Sequence, residues 1–187
     1  MVIAVEPSWA PRRAAGWVAA PAADYHPTMF VLIVGAGRVG SSVARAMLRD
    51  GHDVSCLDED PEAHARLEID LDRPWEDMGG QFTVGTALEV EALRAAGIER
   101  ADAFVATTDG DNTNIVIAQI AQRRFEVPTV IARVLDPYRA EWYEQQGVHT
   151  ICPTRAAIDM LGAEVREART RANRAASAGS AGEAIGG

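Results

Sequence analysis

Five β-favouring residues, Phe30-Val31-Leu32-Ile33-Val34, run without a break into Gly35-Ala36-Gly37-Arg38-Val39-Gly40. A continuous apolar run of this kind suits a strand buried on both faces. Behind the glycines, Val39, Val43, Ala44, Met47 and Leu48 recur at helical spacing until Gly51. Strand, glycine turn and helix in that order form the phosphate-binding start of a Rossmann-type unit. Gly35 permits the tight turn, Gly37 leaves no side chain in the way of a pyrophosphate, and Gly40 lets the helix pack close to the sheet. The helix start then offers unpaired N–H groups and a partial positive charge. Gly35, Ala36, Gly37, Arg38, Val39 and Gly40 are therefore expected to hold the phosphates of an adenine nucleotide.

The rest of the chain repeats the pattern. Val54-Ser55-Cys56-Leu57 predicts a second strand ending at Asp58, and Pro61 opens a helix to about Ile69, with Asp60 as its cap. Residues 70–80 are polar, contain Pro74 and Gly79-Gly80, and predict a loop. Strands are expected at 81–84, 103–106, 129–134 and 150–152, and helices at 89–96, 112–124 and 137–146. Short links between strand–helix pairs give an α/β fold, a doubly wound parallel sheet of order 3-2-1-4-5-6. From Thr154, a plausible cap, a final helix is expected to about residue 174. Its end is loaded by Arg166, Arg169, Arg171 and Arg174. Residues 175–187, almost all Ala, Gly and Ser, predict disorder.

Asp58 ends the second strand 18 residues after Gly40, where an acid accepts hydrogen bonds from ribose hydroxyls. A carboxylate there repels a 2′-phosphate, which favours NAD(H) or ATP/ADP over NADP(H). The competing reading makes Asp58 part of a solvated acidic loop, Asp58-Glu59-Asp60. The segment Thr107-Thr108-Asp109-Gly110-Asp111-Asn112-Thr113-Asn114 follows the fourth strand, beside the point where the strand order reverses and open α/β sheets bind ligands. Thr108 and Asp109 are candidate nucleotide contacts. Asp111 or Asn112 capping the next helix fits the same residues.

Catalytic groups are sparse. His26, His52, His64 and His149 are scattered and form no evident nucleophile–base or metal pair. All 18 basic residues are arginine, which excludes a Walker-type lysine, a Schiff-base lysine and a Tyr-x-x-x-Lys pair. Only 34 residues follow Pro153, too few for a separate substrate domain. A formal net charge of −9 argues against nucleic acid as partner. Cys56 and Cys152 lie in separate apolar runs and suggest core residues, not a disulfide framework. No apolar run approaches the roughly 18 residues of a membrane span. Residues 1–28 carry Arg12-Arg13 before a weak, alanine-rich stretch broken by Pro21. They are expected to be a flexible tail or an extension ahead of a natural start at Met29, with a twin-arginine signal as the disfavoured alternative.

Taken together, the strings FVLIVGAGRVGSSVARAML, HDVSCLDEDPEA, LRAAGIERADAFVATTDGDNTN and VPTVIARVLDP resemble the regulatory RCK N-terminal (KTN) domain of bacterial Trk potassium-uptake proteins of the TrkA type. The resemblance covers residues 29 to about 161. It implies a cytoplasmic, non-enzymatic subunit, peripheral at the inner face of the plasma membrane. Such a subunit binds NAD(H) or ATP/ADP and gates potassium transport through a Trk-type membrane partner. It also implies a homo-oligomer, or assembly with a second RCK protein, with Leu135, Trp142, Tyr143, Ile158 and Leu161 as interface candidates. Binding roles carry over onto the glycine turn, Asp58, Thr108, Asp109, and Arg133 in the fifth strand. Where family members commonly have an acidic or polar turn after the third strand, this chain has Gly85-Thr86-Ala87-Leu88, leaving Thr86 as the candidate near the adenine. The alternatives are a small NAD-dependent oxidoreductase, which would need a hydride acceptor site and an acid or base, and then an orphan nucleotide-binding module.

Overall fold

The computed structural model describes residues 28–183. The N-terminal extension with Arg12-Arg13, and residues 184–187, lie outside them. Six parallel strands, β1 (Phe30–Val34), β2 (Asp53–Asp58), β3 (Gly80–Val84), β4 (Ala103–Ala106), β5 (Thr129–Arg133) and β6 (Thr150–Ile151), form one sheet of order β3-β2-β1-β4-β5-β6. This is the order expected from the sequence.

The central strand β1 is buried along its whole length. Successive side chains point to opposite faces of a strand, so β1 serves two cores. Phe30, Leu32 and Val34 pack with Leu93, Ala96, Ile115, Ile117 and Ala118 from α3 (Val90–Ala95) and α4 (Asp111–Arg124) and the residue after α3. Val31 and Ile33 pack on the other face with Ala44, Leu48, Ala63 and Leu67 from α1 (Arg38–Arg49) and the region of α2 (His64–Leu67). Right-handed crossovers place α1 and α2 on one face and α3 and α4 on the other.

Three stretches differ from the sequence expectation. The helix opened by Pro61 is shorter: a 3-10 turn (Pro61–Ala63) leads into α2 (His64–Leu67). Asp60 caps it, its carboxylate accepting from Glu62 N at 2.9 Å. The polar 70–80 loop hides Trp75, which is fully buried and lies over Gly80. Burying the apolar surface of an indole is worth about 2–3 kcal/mol, offset in part because Trp75 Nε1 has no hydrogen-bond partner among the described residues. The last helix, α6 (Pro153–Glu183), begins one residue earlier and runs well into the segment expected to be disordered. Alanine, the best helix former, dominates that stretch. Thr154 does not cap α6. Cys152 does, its Sγ accepting from Arg155 N at 3.3 Å while its carbonyl accepts from Ala156 N at 3.1 Å. No helix among the described residues is long and apolar enough to cross a membrane.

Between β5 and β6, α5 (Pro137–Gln145) starts under an Asp136 cap that accepts from both Tyr138 N and Arg139 N. Cys56 is fully buried on β2. Burial, reinforced by the neighbouring Asp58 carboxylate, pushes its thiol far above the usual range. Cys152 is half-buried. Thiol titration of the folded protein with an aromatic disulfide is therefore expected to find Cys152 alone, and both cysteines after denaturation. Two fast-reacting native thiols would contradict the packing of β2.

Candidate functional site

A cleft of about 570 Å³ opens at the carboxyl ends of β1, β2, β3 and β4. Its floor is the glycine turn. Gly35 sits at φ +96°, and a Cβ there would lie 2.6 Å from Thr108 N. Only glycine fits both the conformation and the space. A Cβ on Gly40 would collide with the Gly35 carbonyl and Thr107 Oγ1, so α1 can approach the turn only without it. A Cβ on Gly37 meets no protein atom within 4 Å. The three glycines thus divide as the sequence suggests: two serve the fold, and one keeps the approach to the helix end open.

The start of α1 is bare. Gly37 stands at its cap position with no side-chain cap, and the first helical bond runs from Ser41 N to Gly37 O at 2.9 Å. The N–H groups of Arg38, Val39 and Gly40 therefore have no partner within the helix. They carry the positive end of the helix dipole towards the cleft. Arg38 adds a full charge at the same place, on an exposed side chain that lines the cleft.

Asp58 closes the other side. Its carboxylate holds the backbone in two places, accepting from Ala36 N at 2.6 Å and from Asp60 N at 2.9 Å. An ionised carboxylate has about four acceptor positions, so capacity remains for two hydroxyls from the cleft. The side chain fixes the glycine turn to the end of β2 and also lines the cavity.

The segment after β4 forms the third wall. Thr107 Oγ1 donates to Gly35 O at 2.8 Å, locking that segment to the glycine turn. Asn114, fully buried on α4, binds Thr108 on every side. Its Oδ1 accepts from Thr108 N at 2.8 Å and Oγ1 at 2.7 Å, while its Nδ2 donates to Thr108 O at 3.0 Å and Arg133 O at 2.9 Å. Thr108 thus lines the cleft with its polar groups largely committed. Asp109, fully exposed beside it, also lines the cleft, with Arg133 Nη2 3.8 Å from its carboxylate. Neither Asp111 nor Asn112 caps α4, whose cap position is Gly110. Asp111 instead accepts from Leu135 N at 2.9 Å and Asp136 N at 3.2 Å, tying α4 to the link before α5.

Of the residues predicted for the site, Gly35, Gly37, Arg38, Asp58, Thr86, Thr108 and Asp109 line the cleft. Ala36 is buried beneath the turn and contributes its N–H to Asp58. Gly40 is the contact between helix and turn, and Val39 faces outward. Arg133 does not line the cleft. Its Nη2 donates to Thr108 O at 2.8 Å and stands 3.8 Å from Asp109, so it braces the wall from behind. Sequence reasoning missed Arg66, Leu88 and Thr113, which also line it. Arg66 and Leu88 follow the second and third strands, and that position was the one signal available for them.

A family model described as the TrkA-N domain matches residues 31–153. The chain is 40% identical over 133 residues to the Trk system potassium uptake protein TrkA of Streptomyces coelicolor, covering 71% of this chain and 56% of that protein. It is 34% identical over 134 residues to a TrkA homologue of Methanothermobacter thermautotrophicus, covering 71% and 58%. The chain therefore spans somewhat over half the length of these curated relatives. Among solved structures, the C-terminal domain of a Kef protein from Shewanella denitrificans in its AMP-bound form superposes with a TM-score of 0.61 at 26% identity, covering 82% of this chain and 92% of that one.

Proposed function

Because the chain belongs to the TrkA-N domain family, we propose that it is the nucleotide-sensing regulatory part of a Trk-type potassium-uptake system. Residues 29–153 bind NAD(H) or ATP/ADP, and a membrane partner carries the ion. The observation that carries this reading is the pairing, across one turn, of a bare helix start with a carboxylate that has spare acceptor capacity. Phosphates go to α1 and Arg38, and the ribose to Asp58. The acidic side of the cleft, Asp58-Glu59-Asp60, repels phosphates and so sets the direction of the ligand. The AMP-bound Kef domain supports an adenine nucleotide in this fold, and the curated relatives support the potassium context.

Regulation follows from differential binding. A nucleotide that binds one assembly state more tightly shifts the population of conducting transporters by that difference. Turnover is not required for such a shift. The assembly surface we assign to α5, the link before it and α6, where Leu135, Trp142, Ile158 and Leu161 are exposed. Tyr143 instead packs partly into the core. That surface suits a second copy of the chain or another RCK protein, peripheral at the cytoplasmic face through the membrane subunit.

Titration calorimetry of the purified chain with NADH, NAD, ATP and ADP is expected to show saturable binding by at least one. Potassium flux through vesicles holding the membrane subunit is expected to change with that nucleotide only when the chain is present. Absence of binding by all four sinks the sensing role. Steady hydride transfer from NADH to a small carbonyl compound would replace it with an oxidoreductase.

A further inference from the structure

The burial of Trp75 draws three metal-ligating side chains together at a place apart from the nucleotide cleft. His64 opens α2, Glu68 follows one turn later, and Glu76 opens the short 3-10 turn Glu76–Met78. Residues four apart on a helix share a face, so His64 and Glu68 point the same way. None of the three lines the cleft. His64 Nε2 stands 2.7 Å from Glu76 Oε1. One ligand atom from each residue, an imidazole nitrogen and an oxygen of either carboxylate, lies within 4.8 Å of the other two. Sequence spacing leaves His64 without an evident metal partner; the fold supplies two.

Each ligand is carried by backbone that a buried neighbour holds. Ala63 directly precedes His64, Leu67 directly precedes Glu68, and Trp75 directly precedes Glu76; all three neighbours are fully buried. Gly79 N donates to Glu76 O at 3.0 Å and Gly80 N to Trp75 O at 3.0 Å, which closes the turn under Glu76 against the start of β3. The His64 ring packs edge-on against Phe82 of β3, with centroids 5.4 Å apart. Only the exposed carboxylate ends then have to adjust. Donor atoms at about 2.1 Å from a tetrahedral ion sit about 3.4 Å from one another, a spacing that side-chain rotation reaches from the one observed.

Charge and donor type point the same way. Two carboxylates share one imidazole, so the trio stays net negative even when the ring is protonated. A nitrogen with two carboxylate oxygens suits zinc and its transition-metal neighbours, whereas magnesium and calcium favour oxygen alone. We propose that His64, Glu68 and Glu76 bind a divalent transition metal of the zinc class, with water completing its shell. The ion clips α2 to the turn before β3. Binding needs Nε2 without its proton, so the hydrogen bond between His64 and Glu76 gives way to the metal.

The test is calorimetry and thermal melting of the full chain, stripped with a chelator and titrated with zinc chloride or magnesium chloride. The wild type is expected to take up one equivalent of zinc saturably. A hundredfold excess over the dissociation constant is expected to raise Tm by about 5–10 °C, and magnesium is expected to do neither. His64→Ala is expected to weaken zinc at least tenfold, and Glu68→Gln and Glu76→Gln about tenfold each. Glu68→Gln changes only an exposed side chain and serves as the test if metal-free His64→Ala melts early. His149→Ala is the control, because His149 Nδ1 lies 3.1 Å from Glu144 Oε1 in the other histidine–carboxylate pair among the described residues. It is expected to keep wild-type zinc affinity. A wild type that takes up no zinc overturns the site and leaves an ordinary ion pair. Undiminished zinc binding by Glu68→Gln and Glu76→Gln places the ion elsewhere and overturns it too. Magnesium bound as tightly as zinc shows unselective attraction to acidic groups, which also overturns it.

Discussion

Asp58→Ala is expected to weaken adenine-nucleotide binding about 100-fold. The estimate takes two ribose hydroxyls on a carboxylate at roughly 1.5 kcal/mol each, and about 1.4 kcal/mol per tenfold in affinity. The same change costs the protein stability, because Ala36 N and Asp60 N both donate to this carboxylate. Leaving those part-buried groups without a partner costs about 1–3 kcal/mol. Asp58→Asn separates the two effects. The amide oxygen can still accept from one of the two N–H groups, while the NH2 faces the other and repels it. Binding should fall by more than stability does. Calorimetry and chemical denaturation on the same samples read both quantities. An Asp58→Ala chain with wild-type affinity removes the acid from the ribose role.

Gly40→Ala is the change with the largest expected effect on folding. The new methyl group meets the Gly35 carbonyl and Thr107 Oγ1, both held by hydrogen bonds of their own. Neither is the free end of a flexible chain, so relief requires α1 to move off the sheet. Overpacking against backbone at such a point costs about 3 kcal/mol or more, a large part of the stability of a small domain. Gly37→Ala is the control. Its methyl group meets no protein atom, and the backbone at φ −68° accepts any residue. It should melt like the wild type and bind phosphate poorly, because the methyl group occupies the approach to the helix end. Urea unfolding of the two variants decides the matter. Similar stability losses would mean that the close approach of α1 to the glycine turn is not real.

The parts of this fold that follow from local chemistry were legible in the chain. β1 and β4 begin and end where the apolar runs begin and end, and the strand order follows from short right-handed links. Asp58 was legible as a cleft residue because the end of the second strand lies at a fixed place in the unit. Asp60 was legible as a cap because capping needs only the next few residues. What the sequence hid is long-range. Trp75 sits in a stretch whose composition is that of a loop, and only the opposing Gly80 and the face of β2 give it a place to be buried. Asp111 has the look of a helix cap, yet its partners are Leu135 and Asp136, more than twenty residues away. Arg133 looks outward from the end of a strand, yet the carbonyl of Thr108 draws it behind the wall. Periodicity and capping rules report neighbours along the chain. They carry no information on which distant backbone group a side chain will reach.

The first turn of α4 joins two loops that are otherwise separate in sequence. Asn114 grips Thr108, two residues past the end of β4, and the last carbonyl of β5, and Asp111 grips the two amides that lead into α5. The mouth of the cleft, where Asp109 sits, and the start of α5, which bears Trp142, therefore rest on one hydrogen-bonded footing supplied by a single helical turn.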